Sequence, residues 1–246
     1  MRLPFATIFL SLLVVGTYYV LSNGTFYISN AEVQQLGFQL YNKPAGFFSH
    51  TFIHVGILHL IGNLLPLILF AVLLESVLSS FDVLLIFFSS GVVASLLFSL
   101  LNTNTYLVGA SAAISGLMSA ATALKPKKSL LLLVASTLLL VFLFFPLFSY
   151  LSEAHTKQLV HQTQELKQNI TNLIKENKTI EASQVNQTLQ VIEKKAAISV
   201  EGKQRESSTP TSFIVHVFGA FVGILYVYLF KKDKLQAGII EFEELG

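Results

Sequence analysis

The sequence predicts an all-α membrane protein with six transmembrane helices and a long outer helical insertion between the fifth and the sixth. Three observations support this class. The 246 residues are 53% hydrophobic and only 12% charged, a balance that soluble domains of this size rarely have. Six apolar runs are each about long enough to cross a bilayer. A long segment before the last run is rich in Gln, Asn, Lys, Glu and Thr.

The apolar runs define the predicted spans and three parts of the chain. The runs cover residues 5–22, 54–75, 82–101, 107–124, 129–150 and 212–230. The first run is long and lacks a clear cleavage site after it, so it is interpreted as a retained span rather than a signal peptide. The three parts are five spans within residues 1–150, the polar helical insertion 151–211, and the sixth span with a cytoplasmic tail at 212–246.

Basic residues in the short loops predict the orientation of these spans. The residues on one side are Arg2, Lys125, Lys127, Lys128, Lys231, Lys232 and Lys234. The short segments on the opposite side contain only Lys43. The positive-inside rule therefore predicts a multi-pass protein, in the cell membrane, with both termini in the cytoplasm. The net charge of +2 is too small to suggest a nucleic-acid partner.

The insertion 151–211 has the pattern of two amphipathic helices. Their apolar stripes are Leu159, Leu166, Leu173 and Ile180, then Val185, Leu189, Ile192 and Ala196 after Ala182-Ser183. Such stripes favour a hairpin that packs on itself or a pairing of two subunits in a homo-oligomer, and a mobile helical appendage is the alternative.

Glycosylation triplets lie on the same predicted face as the insertion. The Asn-x-Thr triplets begin at Asn23, Asn169, Asn177 and Asn186. Triplets of this kind accept N-linked glycans on secretory proteins. Their one-sided distribution supports the orientation and predicts a glycoprotein.

Polar side chains near or inside the predicted spans form three clusters. They are His50, His54, His59 and Asn63 around the start of the second span, Ser111 and Ser115 in the fourth, and His216 in the sixth. Groups of this kind are costly within a membrane and usually have a role. Under the predicted orientation all three clusters lie toward the outer ends of their spans. They therefore share one depth and indicate a functional site.

Ser111 and His216 suit nucleophilic catalysis. A serine hydroxyl becomes an effective nucleophile when a neighbouring imidazole takes its proton. Attack on an amide builds an oxyanion, which preorganised donors stabilise. His59 and Asn63 are four residues apart on one helix face, so they can aim two donors at one point beside the Ser111 backbone N–H.

Small residues predict that the helices of this pair approach closely. They are Gly219 and Gly223 on one helix, and Ala110, Ala113 and Gly116 on the other. Small side chains on facing helices bring the backbones together in a membrane.

A metal site is the chemical alternative, because His50 and His54 have the His-x3-His spacing of a zinc pair on a helix. No acidic residue accompanies the pair, and the absence of cysteine excludes thiolate ligands, disulfides and a cysteine nucleophile. We therefore predict neither a metal nor another cofactor, and we expect His50 and His54 to hydrogen-bond loop backbone.

Together these residues resemble the rhomboid family of intramembrane serine proteases. The matching motifs are His54-x4-His59-x3-Asn63, Gly109-Ala-Ser111 and His216-x2-Gly219-x3-Gly223, with Glu75 at an acidic position that ends the second span. The resemblance covers about residues 40–124 and 212–230.

The resemblance implies the six-helix rhomboid bundle, in which the fourth helix starts below the membrane surface beside an outward-opening cavity. It implies an endopeptidase with Ser111 as nucleophile and His216 as general base, and with His59 and Asn63 as oxyanion stabilisers. Its implied partners are membrane lipid and single-span membrane proteins, which it cleaves near a destabilised helix without a cofactor.

The chain departs from the family pattern close to the serine. Ala112 and Ser115 occupy positions where the family usually has a glycine and an aromatic residue. A catalytically weak or inactive rhomboid-like protein, which binds transmembrane helices as an adaptor or quality-control factor, is therefore the alternative function. A transporter is disfavoured because the chain has no inverted repeat.

Overall fold

The computed structural model describes residues 3–103, 105–208 and 213–243. Over these residues the chain is all-helical, with isolated bridges but no named strand. The α-helices are α1 (Phe5–Ser22), α2 (Asn30–Leu36), α3 (Ile57–Glu75), α4 (Ser80–Leu101), α5 (Ser111–Leu124), α6 (Pro126–Leu139), α7 (Phe145–Lys175), α8 (Thr179–Ser208), α9 (Phe213–Phe230) and α10 (Lys232–Glu243). The predicted all-α class is therefore confirmed.

Five helices in the described residues are long and apolar enough to cross a membrane. They are α1, α3, α4, α9 and the continuous helix Pro126–Lys175, which contains α6 and α7. Arg2 and the predicted boundary between residues 211 and 212 lie outside the described residues.

Helix α5 is shorter than its apolar run predicts. The run starts at residue 107, whereas α5 begins at Ser111 and has 14 residues. Leu107 instead pairs with Phe38 through two backbone hydrogen bonds of 2.9 and 3.0 Å. An apolar run does not by itself distinguish a helix from buried extended chain, and here the extended pairing prevents an earlier helix start.

The fifth apolar run continues into the polar segment without a break. Helix α6 passes through a π-helical turn at Leu140–Phe144 into α7, so no helix end lies at residue 150. Pro146 has no N–H to donate to the preceding turn, and the wider π-helical turn just before it accommodates that loss. Leu131 and Phe142 on the apolar half are exposed, as expected for lipid-facing side chains.

Helices α7 and α8 form an antiparallel helical hairpin (the hairpin, residues 145–208), which confirms two amphipathic helices packed on each other. The stripe residues buried in the hairpin are Leu159, Leu189 and Ala196. Ile180 from the same stripe is 77% exposed. Helix α8 begins at Thr179, before the predicted Ala182-Ser183, because Asn177 turns the chain in the left-handed conformation (φ 59°).

Glu75, the last residue of α3, joins three helices. Its carboxylate accepts the backbone N–H groups of Ala6 (2.9 Å) and Thr7 (3.0 Å) at the start of α1. It also accepts the hydroxyl groups of Thr7 (2.6 Å) and Ser80 (2.5 Å), the latter at the start of α4. Pro4 at the α1 N-cap provides no side-chain acceptor, so Glu75 satisfies amides that the first turn leaves open.

The end of α9 and the segment after it pack against the bundle. Asp82 near the start of α4 accepts the Tyr226 hydroxyl at 2.6 Å and lies 2.8 Å from the Lys231 Nζ. The predicted tail forms α10, and a Cβ atom built on its Gly238 would lie 2.1 Å from the carbonyl oxygen of Ala123. The tail is therefore a docked helix over most of its length.

Candidate active site

A cavity of about 830 Å³ lies beside the starts of α3, α5 and α9 and the π-helical turn before α7. The predicted site residues Ser111, His216, His59 and Asn63 all line this cavity. They come from three different helices, so the tertiary fold brings together residues that the sequence separates widely.

Ser111 is the first residue of α5. The N-cap residue, Ala110, has no side-chain acceptor, so the first backbone N–H groups of α5 have no side-chain cap. Such amides carry the positive end of the helix dipole and are suited to stabilising a negative charge. Ser111 therefore lies where the backbone N–H groups of the first turn of α5 can donate to an oxyanion.

Gly109 makes room for His59 beside Ser111. Its φ of +105° is a conformation that L side chains rarely adopt. A Cβ atom at this position would also lie 2.7 Å from two atoms of the His59 imidazole. The Gly109 N–H donates to the His50 carbonyl at 2.8 Å, which holds the loop that leads into α5. Only glycine satisfies both the backbone angle and the close ring.

His59 and Asn63 lie one turn apart on α3, as their spacing predicts. The Asn63 Nδ2 donates to the His59 carbonyl at 2.8 Å. An amide nitrogen has two N–H groups, so the second can serve another acceptor. This bond fixes the orientation of the amide within the cavity.

His50 and His54 precede α3 and hydrogen-bond loop backbone, which confirms the prediction for both. Their Nδ1 atoms lie 2.9 Å from the Gly46 carbonyl and 3.3 Å from the Phe52 carbonyl, respectively. The His50 Nε2 lies 2.7 Å from the Ser95 hydroxyl, so both ring nitrogens of His50 are engaged. Within the described residues, no group of three His, Asp or Glu side chains is arranged to hold a metal ion.

The predicted close approach of α5 and α9 is present and includes the predicted Gly116, whereas Ala112 and Ser119 replace Ala110 and Ala113 in the contact. Cβ atoms on Gly219 and Gly223 would lie 2.1 Å from the carbonyl oxygens of Ala112 and Gly116, respectively. The Ser119 hydroxyl donates to the Ala220 carbonyl at 2.7 Å. The face is therefore Ala112, Gly116 and Ser119, following the 3.6-residue period. Ala110 and Ala113 belong to the main hydrophobic core instead.

The rhomboid domain family model matches residues 39–162. The chain belongs to the rhomboid family. No curated protein and no solved structure matches it. Its apolar helices and its family indicate an integral multi-pass membrane protein. The rhomboid family is a family of intramembrane serine proteases.

Ala112 and Ser115 are the two departures of this rhomboid from the usual family pattern near Ser111. Ala112 is buried in a small hydrophobic cluster with Ala94, Phe98 and Val215. The Ser115 hydroxyl donates to the carbonyl of the residue one turn earlier at 2.9 Å. The Ala112 methyl group therefore adds packing between α4, α5 and α9. The Ser115 hydroxyl has its hydrogen-bond acceptor on its own helix.

Glu206, near the end of α8, is a cavity residue of this rhomboid that sequence reasoning does not identify. Its Oε1 accepts the backbone N–H of His59 at 3.0 Å, and the Leu58 N–H also hydrogen-bonds its carboxylate. Burial raises the pKa of the Glu206 carboxyl, against the opposing effect of these N–H groups and of Arg205. The surrounding sequence is uniformly polar, so no periodicity signals this contact.

Proposed function

We propose that this rhomboid is an intramembrane serine endopeptidase that cleaves transmembrane segments with a Ser111–His216 dyad. The observation that carries the proposal is that Ser111, His216, His59 and Asn63 line one cavity. A nucleophile, a base and two donors from three helices have no packing reason to share a cavity, whereas acyl transfer needs all four there.

In the proposed reaction His216 takes the proton of the Ser111 hydroxyl as the oxygen attacks the scissile carbonyl. The oxyanion then forms beside the Ser111 N–H, the Asn63 amide and the His59 ring, which act as preorganised donors. His216 next donates its proton to the leaving amine, and water hydrolyses the acyl-enzyme in the reverse sense. No cofactor takes part.

The proposed topology has six spans, with α5 as the short one. At about 1.5 Å per residue its 14 residues cover about 21 Å, less than the hydrocarbon thickness of about 30 Å. A short helix of this kind lets water reach Ser111 from one side. We propose that this side is the outer face, that both termini are cytoplasmic in the cell membrane, and that the polar part of the hairpin, residues 151–208, lies outside.

Glycosylation is part of the same proposal. Asn169, Asn177 and Asn186 on the hairpin and Asn23 after α1 are all exposed and accessible to a transferase. Glycans at these positions would report the outer location of the hairpin directly.

The proposed substrates are single-span membrane proteins, which reach the cavity from lipid with a locally unwound helix. The alternative, an inactive adaptor that binds transmembrane helices, is not favoured because the serine and the histidine are both retained.

The test is a cleavage assay with reconstituted protein and a panel of single-span substrates that carry small residues near their outer ends. Ser111→Ala and His216→Ala should each lower kcat by about 10³-fold or more, because a nucleophile and its base act as one unit. Labelling of the wild type by a serine-directed fluorophosphonate should be lost in Ser111→Ala.

Ser115→Ala is the matched control, because it removes a hydroxyl one turn away that bonds only to its own helix among the contacts described. Equal cleavage by wild type and Ser111→Ala would contradict the dyad. Substrate binding without cleavage by any variant would favour the adaptor.

A further inference from the structure

The last turns of α8 dock on the segment between α1 and α3. A Cβ atom at Gly202 would lie 2.4 Å from the Tyr27 side chain, so the helix backbone touches the ring directly. The Arg205 guanidinium donates to the carbonyls of Ile28 (2.6 Å) and Val55 (3.2 Å). Because these contacts involve backbone atoms, they hold the end of the hairpin in one position over the core.

Glu206 extends this docking to the first turn of α3. The N-cap of α3 is Gly56, which has no side chain to accept the first amides of the helix. Glu206 supplies that acceptor from another helix, with its Oε1 3.0 Å from the His59 nitrogen and close above Gly56. A side chain on Gly56 would collide with this carboxylate, since its Cβ atom would lie 2.6 Å from Oε1.

We propose that Glu206 is a positioning residue for His59, supplied by the hairpin to the active site. It caps the N-terminus of α3 through the amides of Leu58 and His59, and it thereby fixes where the His59 ring lies over Gly109. The role rests on the proposed function, because His59 is an oxyanion donor only if the site is catalytic. An acidic group at a helix N-terminus also complements the positive end of the helix dipole, which offsets part of the cost of burying the carboxylate.

The partial burial of the Glu206 carboxylate has a free-energy cost. Glu206 is partly buried beside a largely apolar cavity, where a carboxylate is disfavoured unless it is paired. If Glu206 only capped a solvent-exposed helix end, its carboxylate would not need to be partly buried beside the cavity. A nearby carboxylate, Glu201, shares the same helix but is exposed and accepts the Asn30 amide at 3.3 Å.

The test compares Glu206→Ala and the isosteric Glu206→Gln with Glu201→Gln as the matched control. Steady-state cleavage by the full-length, reconstituted protein should show kcat lowered about 10- to 100-fold in Glu206→Ala with KM unchanged, because a displaced donor acts on the transition state alone. Glu206→Gln should retain part of the rate, since an amide oxygen still accepts one N–H. Glu201→Gln should match the wild type.

Hydrogen exchange of the Leu58 and His59 amides is the second measurement. It should be several-fold faster in Glu206→Ala than in the wild type and unchanged in Glu201→Gln, because a lost cap frays the first helical turn. This readout does not depend on catalysis.

The two measurements separate the possible failures. A wild type that cleaves while Glu206→Ala cleaves equally well or faster would overturn the positioning role, and faster cleavage would make Glu206 an obstacle to substrate. Unchanged exchange at Leu58 and His59 would overturn the cap itself. A wild type that cleaves nothing, with exchange altered as expected, would refute the proposed function and with it the catalytic purpose of the cap.

Discussion

Single residues in the cavity are constrained by more than one neighbour. Gly109 combines a φ of +105° with an imidazole 2.7 Å from where its Cβ atom would lie. Glu206 combines burial with bonds to the first turn of α3. Both residues serve the placement of His59, so its position is determined from two sides, by the loop before α5 and by the end of α8.

The Glu206 carboxyl should make stability depend on pH. Burial raises its pKa in the folded protein above the ordinary value of 4.5. Its contribution to stability is therefore fully present below pH 4.5 and is lost as the pH rises through the folded-state pKa. Glu206→Gln, which stays neutral, should raise the Tm relative to the wild type more at about pH 7.5 than at about pH 4.5.

Thermal unfolding in detergent at the two pH values measures this difference, and Glu201→Gln serves as the control on the same helix. A Tm difference between Glu206→Gln and the wild type that is the same at both pH values would contradict the raised pKa. Functional sites often contain a group that lowers the stability of the fold while it supports the reaction, and we expect this of the ionised Glu206 carboxylate at neutral pH.

At the scale of helices, the contact between α5 and α9 depends on glycines that allow the backbones to touch. The nearest atom to a Cβ on Gly219 is the carbonyl oxygen of Ala112, at 2.1 Å. A backbone atom cannot turn aside as a side chain can. The two helices would have to separate, and the start of α9 carries His216 while the start of α5 carries Ser111.

Gly219→Ala should therefore lower the free energy of unfolding by about 1–3 kcal/mol, the usual range for overpacking in a tight contact. Cleavage should fall as well, because the dyad is pulled apart. Gly16→Ala on α1 is the matched control, since no atom lies within 4 Å of its Cβ position. Thermal unfolding in detergent, followed by the cleavage assay, measures both; equal Tm values for the two variants would contradict the close contact.

At the scale of the whole molecule, the hairpin has a distal part and a docked end. The ion pairs Lys167–Glu193 (2.7 Å) and Glu153–Lys203 (3.3 Å) give the register of its two helices. In that register, removal of residues 163–195 and closure by a short turn shorten both helices about equally. Arg205 and Glu206 stay in place in such a variant, whereas removal of 153–208 takes them away.

The shortened hairpin (163–195 removed) should cleave within about twofold of the wild type, while removal of 153–208 should spare the dyad but lower kcat about as far as Glu206→Ala, about 10- to 100-fold. The cleavage assay measures the rates, and fluorophosphonate labelling of Ser111 checks that the dyad survives in both. Equal loss of activity in the two deletions would assign the role to the distal hairpin, such as substrate capture, rather than to its docked end.

Five of the six apolar runs correspond to described helices long enough to cross a membrane, because a bilayer demands continuous hydrophobic helices and that demand acts locally. Local spacing likewise placed His59 and Asn63 on one turn of α3. The start of α5 was missed by four residues, since extended pairing of Leu107 with Phe38 is a contact between distant segments. Gly116 was correctly placed in the contact of α5 with α9, whereas Ala110 and Ala113 were misassigned, because several small residues qualify and the partner helix decides among them.

The sequence by itself determined the membrane class, the all-α fold class and the set of polar side chains from which the candidate site is built. Only the tertiary structure decided that Ser111, His216, His59 and Asn63 share one cavity and that Glu206 joins them. The physical reason is that composition and periodicity report which faces of each segment are exposed to water, to lipid or to the protein core. The bond from the His59 amide to Glu206 joins residues 147 positions apart, and it depends on how the completed helices dock.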